Sequence, residues 1–263
     1  MKATGGAPAA GGSPEIQARV HESGFRRADS NFYALTTASD GRIYYTLSSH
    51  NIDTHARAYR FDPRADRVEM LFDFGEAAGE TGRRTLPQGK SHTPFFEIGG
   101  KLYLATHYGY FAVQGKKETL AAVPAGYRPY PGGHIFAYDP RRGAVEDLAR
   151  GPSQEGIITL GADRERGRLY GLTWPGGRFL AFDIAARRLE DLGPVSGDGE
   201  VGEGDRYFCL CRSFAVWPHD GSVFFTNADG TVLRHRPGTD RVEALETLHL
   251  RRDIFGAWNP HEP

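Results

Sequence analysis

The chain has 263 residues, of which 39% are hydrophobic and 12% aromatic, so it can bury a globular core, and its length fits one domain. The formal net charge is −1, from 33 acidic and 32 basic residues, and this balance excludes a surface of one sign that would attract nucleic acid or an anionic membrane. The 34 glycines and 16 prolines punctuate many short segments without a long helical period, which favours an all-β fold with little helix.

The first segment, residues 1–14, is rich in Gly, Ala and Pro and is expected to be a disordered tail, because it contains little that could offset the entropy of ordering. It lacks the apolar run of a secretory signal, and no stretch reaches the length of a membrane span. A cytoplasmic location is the simplest expectation. The remaining residues, 15–263, are expected to form a single domain, in which Cys209 and Cys211 are reduced and buried.

A unit of short β-rich segments occurs four times after the tail. In each copy a turn containing Gly opens the second strand, a third strand runs into a turn, and a polar fourth strand follows. The second strands lie at 41–45, 100–104, 167–171 and 221–225. Four antiparallel strands repeated every ~40 to 60 residues are typical of the blades of a β-propeller, whose active sites gather at one mouth of a central channel.

The repeats predict four four-stranded blades and the beginning of another. The blades are expected at about 32–76, 90–150, 155–194 and 206–248. Blade two is the longest because it carries an insert between Tyr110 and Tyr130, which is typical of a binding loop. Residues 253–263 begin with an apolar segment that fits the first strand of a partial fifth blade. The chain is therefore either a four-bladed ring with irregular closure or an incomplete larger propeller, and self-association through an open terminal blade is expected in the second case.

The strand order of a propeller brings histidines of blade two together. The start of a blade's first strand, the end of its second and the start of its third lie at the same mouth. In blade two these positions carry His92, His107 and His134. His50 follows the second strand of blade one and Arg212 lies at the start of blade four, so we expect all five side chains on one rim.

Two chemistries fit this rim, and the sequence leaves both open. In the first, neutral imidazoles bind a divalent metal such as Mn, Zn or Ca, which polarises a carboxylate or activates water. The candidate metal ligands are His92, His107, His134 and His50.

In the second chemistry, the histidines transfer protons without a metal. His92 or His107 is the general base, and Tyr108 or Tyr110 is the acid. Arg212 binds a substrate carboxylate through a bidentate contact. This arrangement suits β-elimination from a uronic acid, since the carboxylate must be neutralised to raise the acidity of the adjacent carbon.

Two short segments of blade two resemble bacterial propeller enzymes that cleave polysaccharides or oligosaccharides. QGKSHT at 88–93 and ATHYG at 105–109 look like the paired histidine strands of ulvan-lyase-type propellers, and a histidine cluster on a metal is similar to that of oligogalacturonate lyases. The chain is more loosely similar to streptogramin-lyase and gluconolactonase-like propellers, which also use a metal at the channel mouth. Those families complete six or seven blades, whereas this sequence supplies about four.

The residues and the resemblance together predict a lyase-type enzyme that acts on a small anionic sugar or related carboxylate at the channel mouth. The alternative is a non-catalytic propeller that binds a ligand or another protein. The incomplete ring and the lack of a specific catalytic motif favour that alternative.

Overall fold

The computed structural model describes residues 18–114, 117–195, 197, 199–200 and 209–250. The tail predicted at 1–14 and the partial fifth blade predicted at 253–263 lie outside these residues. Within the described part of the chain, four antiparallel sheets each contain four strands, which confirms the all-β, propeller-like fold with four blades. No helix in those residues is long and apolar enough to cross a membrane.

Each blade is a meander in which strands pair in chain order. The strands of blades one to four are β1 Leu35–Thr37, β2 Ile43–Leu47, β3 Arg57–Asp62 and β4 Arg67–Asp73; β5 Phe96–Ile98, β6 Lys101–Ala105, β9 His134–Asp139 and β10 Ala144–Arg150; β11 Gly156–Asp163, β12 Arg168–Trp174, β13 Arg178–Asp183 and β14 Arg188–Pro194; and β15 Ala215–Val216, β16 Val223–Thr226, β17 Thr231–His235 and β18 Val242–His249. A hairpin of β7 Phe111–Gln114 and β8 Lys117–Leu120 interrupts blade two between β6 and β9, where the sequence predicts an insert.

One glycine position recurs in the turn that opens the second strand of every blade. The φ angles there are +77°, +78°, +61° and +76° at Gly41, Gly100, Gly167 and Gly221. A side chain is strained in this left-handed region, so the repeated glycine is the local cause of the tight turn between the first two strands.

Aromatic side chains of the second strands hold neighbouring blades together. Tyr44 of blade one lies 6.2 Å from Tyr138 of blade two, measured between ring centroids. Tyr170 of blade three lies 5.7 Å from His235 of blade four. Tyr44, Tyr103 and Tyr170 are all buried, as their recurrence at one repeat position predicts.

Blade four departs from this pattern. Phe225 points toward blade three, where its ring stacks on Phe179 at 5.4 Å. Because successive side chains of a strand alternate between faces, Phe224 points the other way and is only half-buried. Phe224 is therefore less buried than Tyr44, Tyr103 and Tyr170 at the same repeat position.

Helix is as scarce as the composition predicts. A single turn, α1 (Phe74–Ala77), follows β4. The Asp73 carboxylate caps it by accepting the main-chain N–H groups of Gly75 and Glu76, which would otherwise lack partners. Phe74 is fully buried, and its ring centroid lies 5.7 Å from that of Phe136. The helical turn therefore packs blade one against blade two.

Cys209 and Cys211 form no disulfide within the described residues, and they are not both buried. Cys209 is exposed and Cys211 is half-buried. Leu210 between them is 2% exposed and belongs to the main hydrophobic cluster. Because Leu210 points into the core, Cys209 points to solvent, and the expectation of burial is wrong there.

Candidate active site

Main-chain pairing between Lys90 and His107 sets the position of the candidate site. The Lys90 N–H donates to the His107 carbonyl at 3.2 Å, and the His107 N–H donates to the Lys90 carbonyl at 2.8 Å. The start of blade two's first strand therefore meets the end of its second, as the strand order predicts. His92 and His107 come together in consequence, with ring centroids 4.8 Å apart and ring planes at 72°.

A close backbone crossing brings blade one against this pair. A Cβ atom on Gly89 would overlap Cα of Gly109 and would lie 2.5 Å from the Ser49 carbonyl oxygen. Only glycine fits such a crossing, since a side-chain carbon cannot approach main-chain atoms so closely. The Ser49 N–H donates to the Gly89 carbonyl at 2.9 Å, which holds the next residue, His50, beside blade two.

The Lys90 side chain is fully buried beside the two histidines. Its ammonium lies 4.4 Å from the ring centroid of Phe32 and 3.9 Å from that of Phe111. Aromatic faces attract cations, and more strongly when water is excluded. Phe32 precedes β1 and Phe111 begins β7, so blade one and the inserted hairpin together hold a positive charge at the site. Phe32 also stacks on His92, with centroids 4.7 Å apart.

Burial and neighbouring cations keep both imidazoles neutral. Burial lowers the pKa of His92 to about 3, and repulsion from Lys90 and Arg212 adds to this effect. Burial likewise lowers the pKa of His107 well below its usual value, and the same two cations act in the same direction. The pair is therefore neutral near pH 7. Within the described chain, Nε2 of His92 and Nδ1 of His107 are buried without a hydrogen-bond partner.

Blade three forms the wall behind His107. Trp174, at the end of β12, meets the imidazole edge to face with centroids 5.4 Å apart. Gly156, at the start of β11, comes so close that a Cβ atom there would overlap the ring at Nδ1. The orientation of His107 therefore depends on a glycine in the neighbouring blade.

A cavity of about 320 Å³ opens beside His92, between the first strands of several blades. Its lining includes Thr159 of β11, and Arg212 and Phe214 from the segment before β15. Ligand sites in proteins commonly have volumes of about 300 to 1,000 Å³, so this space suits a small ligand.

Arg212 brings a second cation to the cavity. Its guanidinium donates to the Leu210 carbonyl at 3.0 Å and lies 2.7 Å from the Glu200 carboxylate. The side chain is still 43% exposed. A guanidinium has five N–H donors, so Arg212 can bind Glu200 and a carboxylate in the cavity together.

The structure does not bring His134 into this group. Nε2 of His134 is 3.0 Å from Oε1 of Glu80, and Nδ1 is 2.9 Å from Oδ2 of Asp147. Burial lowers the pKa of His134, but the hydrogen bonds to Asp147 and Glu80 outweigh burial and raise the pKa above its usual value. Both ring nitrogens are engaged in an ion-pair network, so the expectation that His134 faces the rim as a ligand is corrected.

His50 lies on the blade-one side of the site. Its Nδ1 is 2.8 Å from Oδ1 of Asp29, and its main-chain N–H donates to Oδ2 at 2.9 Å. The imidazole contacts Phe32 and Phe111 edge to face, at centroid distances of 5.6 Å and 5.0 Å. Both rings also contact Lys90, so His50 and Lys90 share one aromatic enclosure.

The predicted four-histidine metal set does not assemble. Among the described residues, no three His, Cys, Asp or Glu side chains are close enough to hold one metal ion. The nitrogens of His134 are occupied by two carboxylates. A divalent metal therefore stays a prediction without a ligand set in that part of the chain.

The two predicted acid tyrosines lie against the hydrophobic core. Tyr108 packs on Tyr130 at 4.3 Å and on Trp174 at 5.9 Å, and burial raises its pKa to about 12. Tyr110 is half-buried and packs against the same hydrophobic cluster. Neither hydroxyl has a described hydrogen bond to His92 or His107.

Sequence reasoning missed the residues that enclose the histidines. Lys90 precedes His92 by two positions, and in an extended segment this spacing puts both side chains on one face, so the pattern did contain that signal. The sequence contains no such signal for Phe32, Phe111 or Asp29, because these residues reach the site only through contacts between separate segments.

Comparisons with known proteins assign no family. No protein-family model and no curated protein match the chain. Solved structures similar to it include a protein of unknown function from Bacteroides thetaiotaomicron (9% identity, TM-score 0.48, covering 82% of this chain and 44% of that one) and an auxiliary nutrient binding protein from the same organism (12%, 0.47, 82% and 48%). A third is the periplasmic gluconolactonase of Pseudomonas aeruginosa (16%, 0.47, 81% and 56%). The chain thus spans about half the length of these proteins.

Proposed function

We propose that this chain is an enzyme that acts on a small anionic sugar or related carboxylate at the channel mouth, by a lyase-type β-elimination. The observation that carries the proposal is the pair of neutral, buried imidazoles of His92 and His107, 4.8 Å apart, beside the cations Lys90 and Arg212. Nε2 of His92, which lines the cavity, has no hydrogen-bond partner among the described residues. Buried polar atoms without partners are rare in proteins and mark places where a ligand supplies the missing contact.

The charges of the site fit an anion. Lys90 and Arg212 place positive charge beside imidazoles that remain neutral, and a low-dielectric surrounding strengthens their attraction for a carboxylate. The same field stabilises the negative charge that develops when a proton leaves the carbon next to that carboxylate. Neutral imidazoles are able to accept a proton or to donate a hydrogen bond near pH 7.

The cavity limits the size of the substrate. At about 320 Å³ it lies at the lower end of the range for ligand sites. Phe214 and other apolar groups line it together with Arg212, a combination that suits the apolar face and the charged group of a uronate residue. A terminal uronate or a short oligosaccharide is the substrate that we propose.

Turnover of uronate oligosaccharides is the direct test. The purified chain is incubated with them and with neutral oligosaccharides of equal length, and the absorbance of the unsaturated product is followed. We expect turnover of the anionic series only, with kcat/KM at least about 100-fold lower in His92→Ala and His107→Ala. His219→Ala is the matched control, because His219 lies in a turn beside Trp217 and should leave activity unchanged. Full activity in both site variants contradicts the proposal.

A non-catalytic ligand-binding module is the second candidate. A buried imidazole nitrogen without a hydrogen-bond partner indicates that a ligand binds there, but it does not by itself indicate that a reaction takes place. Calorimetric titration with the same uronates separates the two functions. Binding that is lost in His92→Ala, without product formation by the unmutated chain, supports the binding module.

A further inference from the structure

The Asp29 and His50 pair has the geometry of a carboxylate that orients an imidazole. Oδ1 of Asp29 is 2.8 Å from Nδ1 of His50, while Oδ2 accepts the His50 main-chain N–H at 2.9 Å. The Ser30 hydroxyl donates to Oδ1 at 2.6 Å. These contacts fix the carboxylate and the ring relative to each other.

An ionised Asp29 selects one tautomer of His50. Burial raises the pKa of Asp29, but hydrogen bonds from Ser30 and His50 outweigh burial and lower the pKa below its usual value. A carboxylate accepts hydrogen bonds and cannot donate them, so Nδ1 of His50 carries the hydrogen. Nε2 then presents a lone pair, which is the form that a general base requires.

Nε2 of His50 is buried, and no hydrogen-bond donor among the described residues reaches it. The rings that contact His50 are those of Phe32 and Phe111, neither of which donates a conventional hydrogen bond. An orphaned acceptor in an apolar enclosure is costly, and such atoms persist where a ligand or a reaction uses them.

His50 differs in this respect from the other histidines near the mouth. His92 and His107 have no carboxylate partner among the described contacts, and each has one orphaned nitrogen. His134 has two carboxylate partners, so neither of its nitrogens is open. His50 alone in this group combines an orienting carboxylate with an open nitrogen.

We propose that His50 is the proton acceptor of the site and that Asp29 is its positioning residue, an assignment that rests on the proposed function. The C–H bond next to the substrate carboxylate breaks, and its proton moves to Nε2 of His50. The released electron pair forms the C=C bond as the C–O bond at the β-carbon breaks, and the departing oxygen takes a proton from water. His92 and Arg212, which line the cavity, hold the carboxylate.

Kinetics of four variants test the assignment. His50→Ala lowers kcat at least about 100-fold, and added imidazole restores part of the rate because it replaces the missing base. Asp29→Asn lowers kcat about tenfold or more while KM changes less than about twofold. The double variant is no slower than His50→Ala alone, since the two residues act as one unit. His21→Ala is the matched control, because His21 is also paired with an aspartate, Asp66, at 3.2 Å.

The outcomes separate this assignment from the function on which it rests. A chain that turns over no uronate substrate overturns both. A chain whose activity depends on His92 and His107 but survives His50→Ala overturns the assignment and leaves the proposed function intact. Nitrogen NMR of His50 gives a readout without activity: the Nδ1–H tautomer supports the assignment, and the Nε2–H tautomer contradicts it.

Discussion

Gly156 lies so close to Nδ1 of His107 that the backbone of blade three leaves no room for a methyl group beside the imidazole. The two residues are 49 positions apart in the sequence, and their contact restricts the orientation of the His107 ring. The position of the His107 ring is therefore decided by the neighbouring blade as much as by its own strand.

Gly156→Ala is expected to displace the His107 ring while leaving the fold intact. A misplacement of about 1 Å costs on the order of 100-fold in rate, so kcat/KM on uronates should fall by about that factor. Gly171→Ala is the matched control, because a Cβ atom on Gly171 meets its nearest neighbour at an ordinary 3.4 Å. Equal activity in the two variants shows that the ring is not held by this contact.

Lys90→Met is expected to raise the pKa of His92. The substitution keeps an apolar side chain between the two phenylalanine rings but removes the charge that repels the imidazolium. Proton NMR titration of His92 measures the change. Arg212→Met should raise the same pKa less, since the effect of Arg212 on it is smaller than that of Lys90.

The same Lys90 variant should also slow the reaction. Loss of a nearby positive charge weakens the stabilisation of a developing carbanion, and an effect of about tenfold on kcat/KM is expected for a charge that acts through space. An unchanged kcat/KM shows that the field of Lys90 does not reach the reacting atoms.

The stability contributed by the His134 network is expected to decrease as the pH rises. The folded-state pKa of His134 is raised, so this contribution is complete below the unfolded-state value of 6.5 and is lost as the pH rises through the folded-state pKa. Asp147→Asn should cost about 1 kcal/mol at about pH 5.5, because Asp147 is partly exposed, and less at about pH 8.5. Urea unfolding at both values checks this. A larger cost at the higher pH contradicts it.

Tyr108→Phe is expected to keep activity within about twofold. The ring packs on Tyr130 and Trp174, and phenylalanine preserves that packing. Turnover of uronates by Tyr108→Phe, with Tyr110→Phe beside it, measures the effect. A loss of about 100-fold in either variant supports the acid role that the sequence predicts for that tyrosine.

The four four-stranded sheets and the meeting of His92 with His107 were predictable because strand order in a repeat fixes which strand ends are neighbours. The placement of His134 was not, because its ring turns toward Glu80, a residue that follows α1 and reaches blade two only in the folded chain. The aromatic enclosure of Lys90 was not predictable from the sequence for the same reason, since Phe32 belongs to blade one and Phe111 to the inserted hairpin.

By itself the sequence determined the all-β fold, the four blades and the rim on which two histidines meet, because turns and alternation are local and repeat along the chain. Only the tertiary structure decided which histidines have open nitrogens and which are tied to carboxylates. Burial, ring orientation and the distance between Asp29 and His50 depend on segments that are far apart in sequence, and no local pattern encodes them.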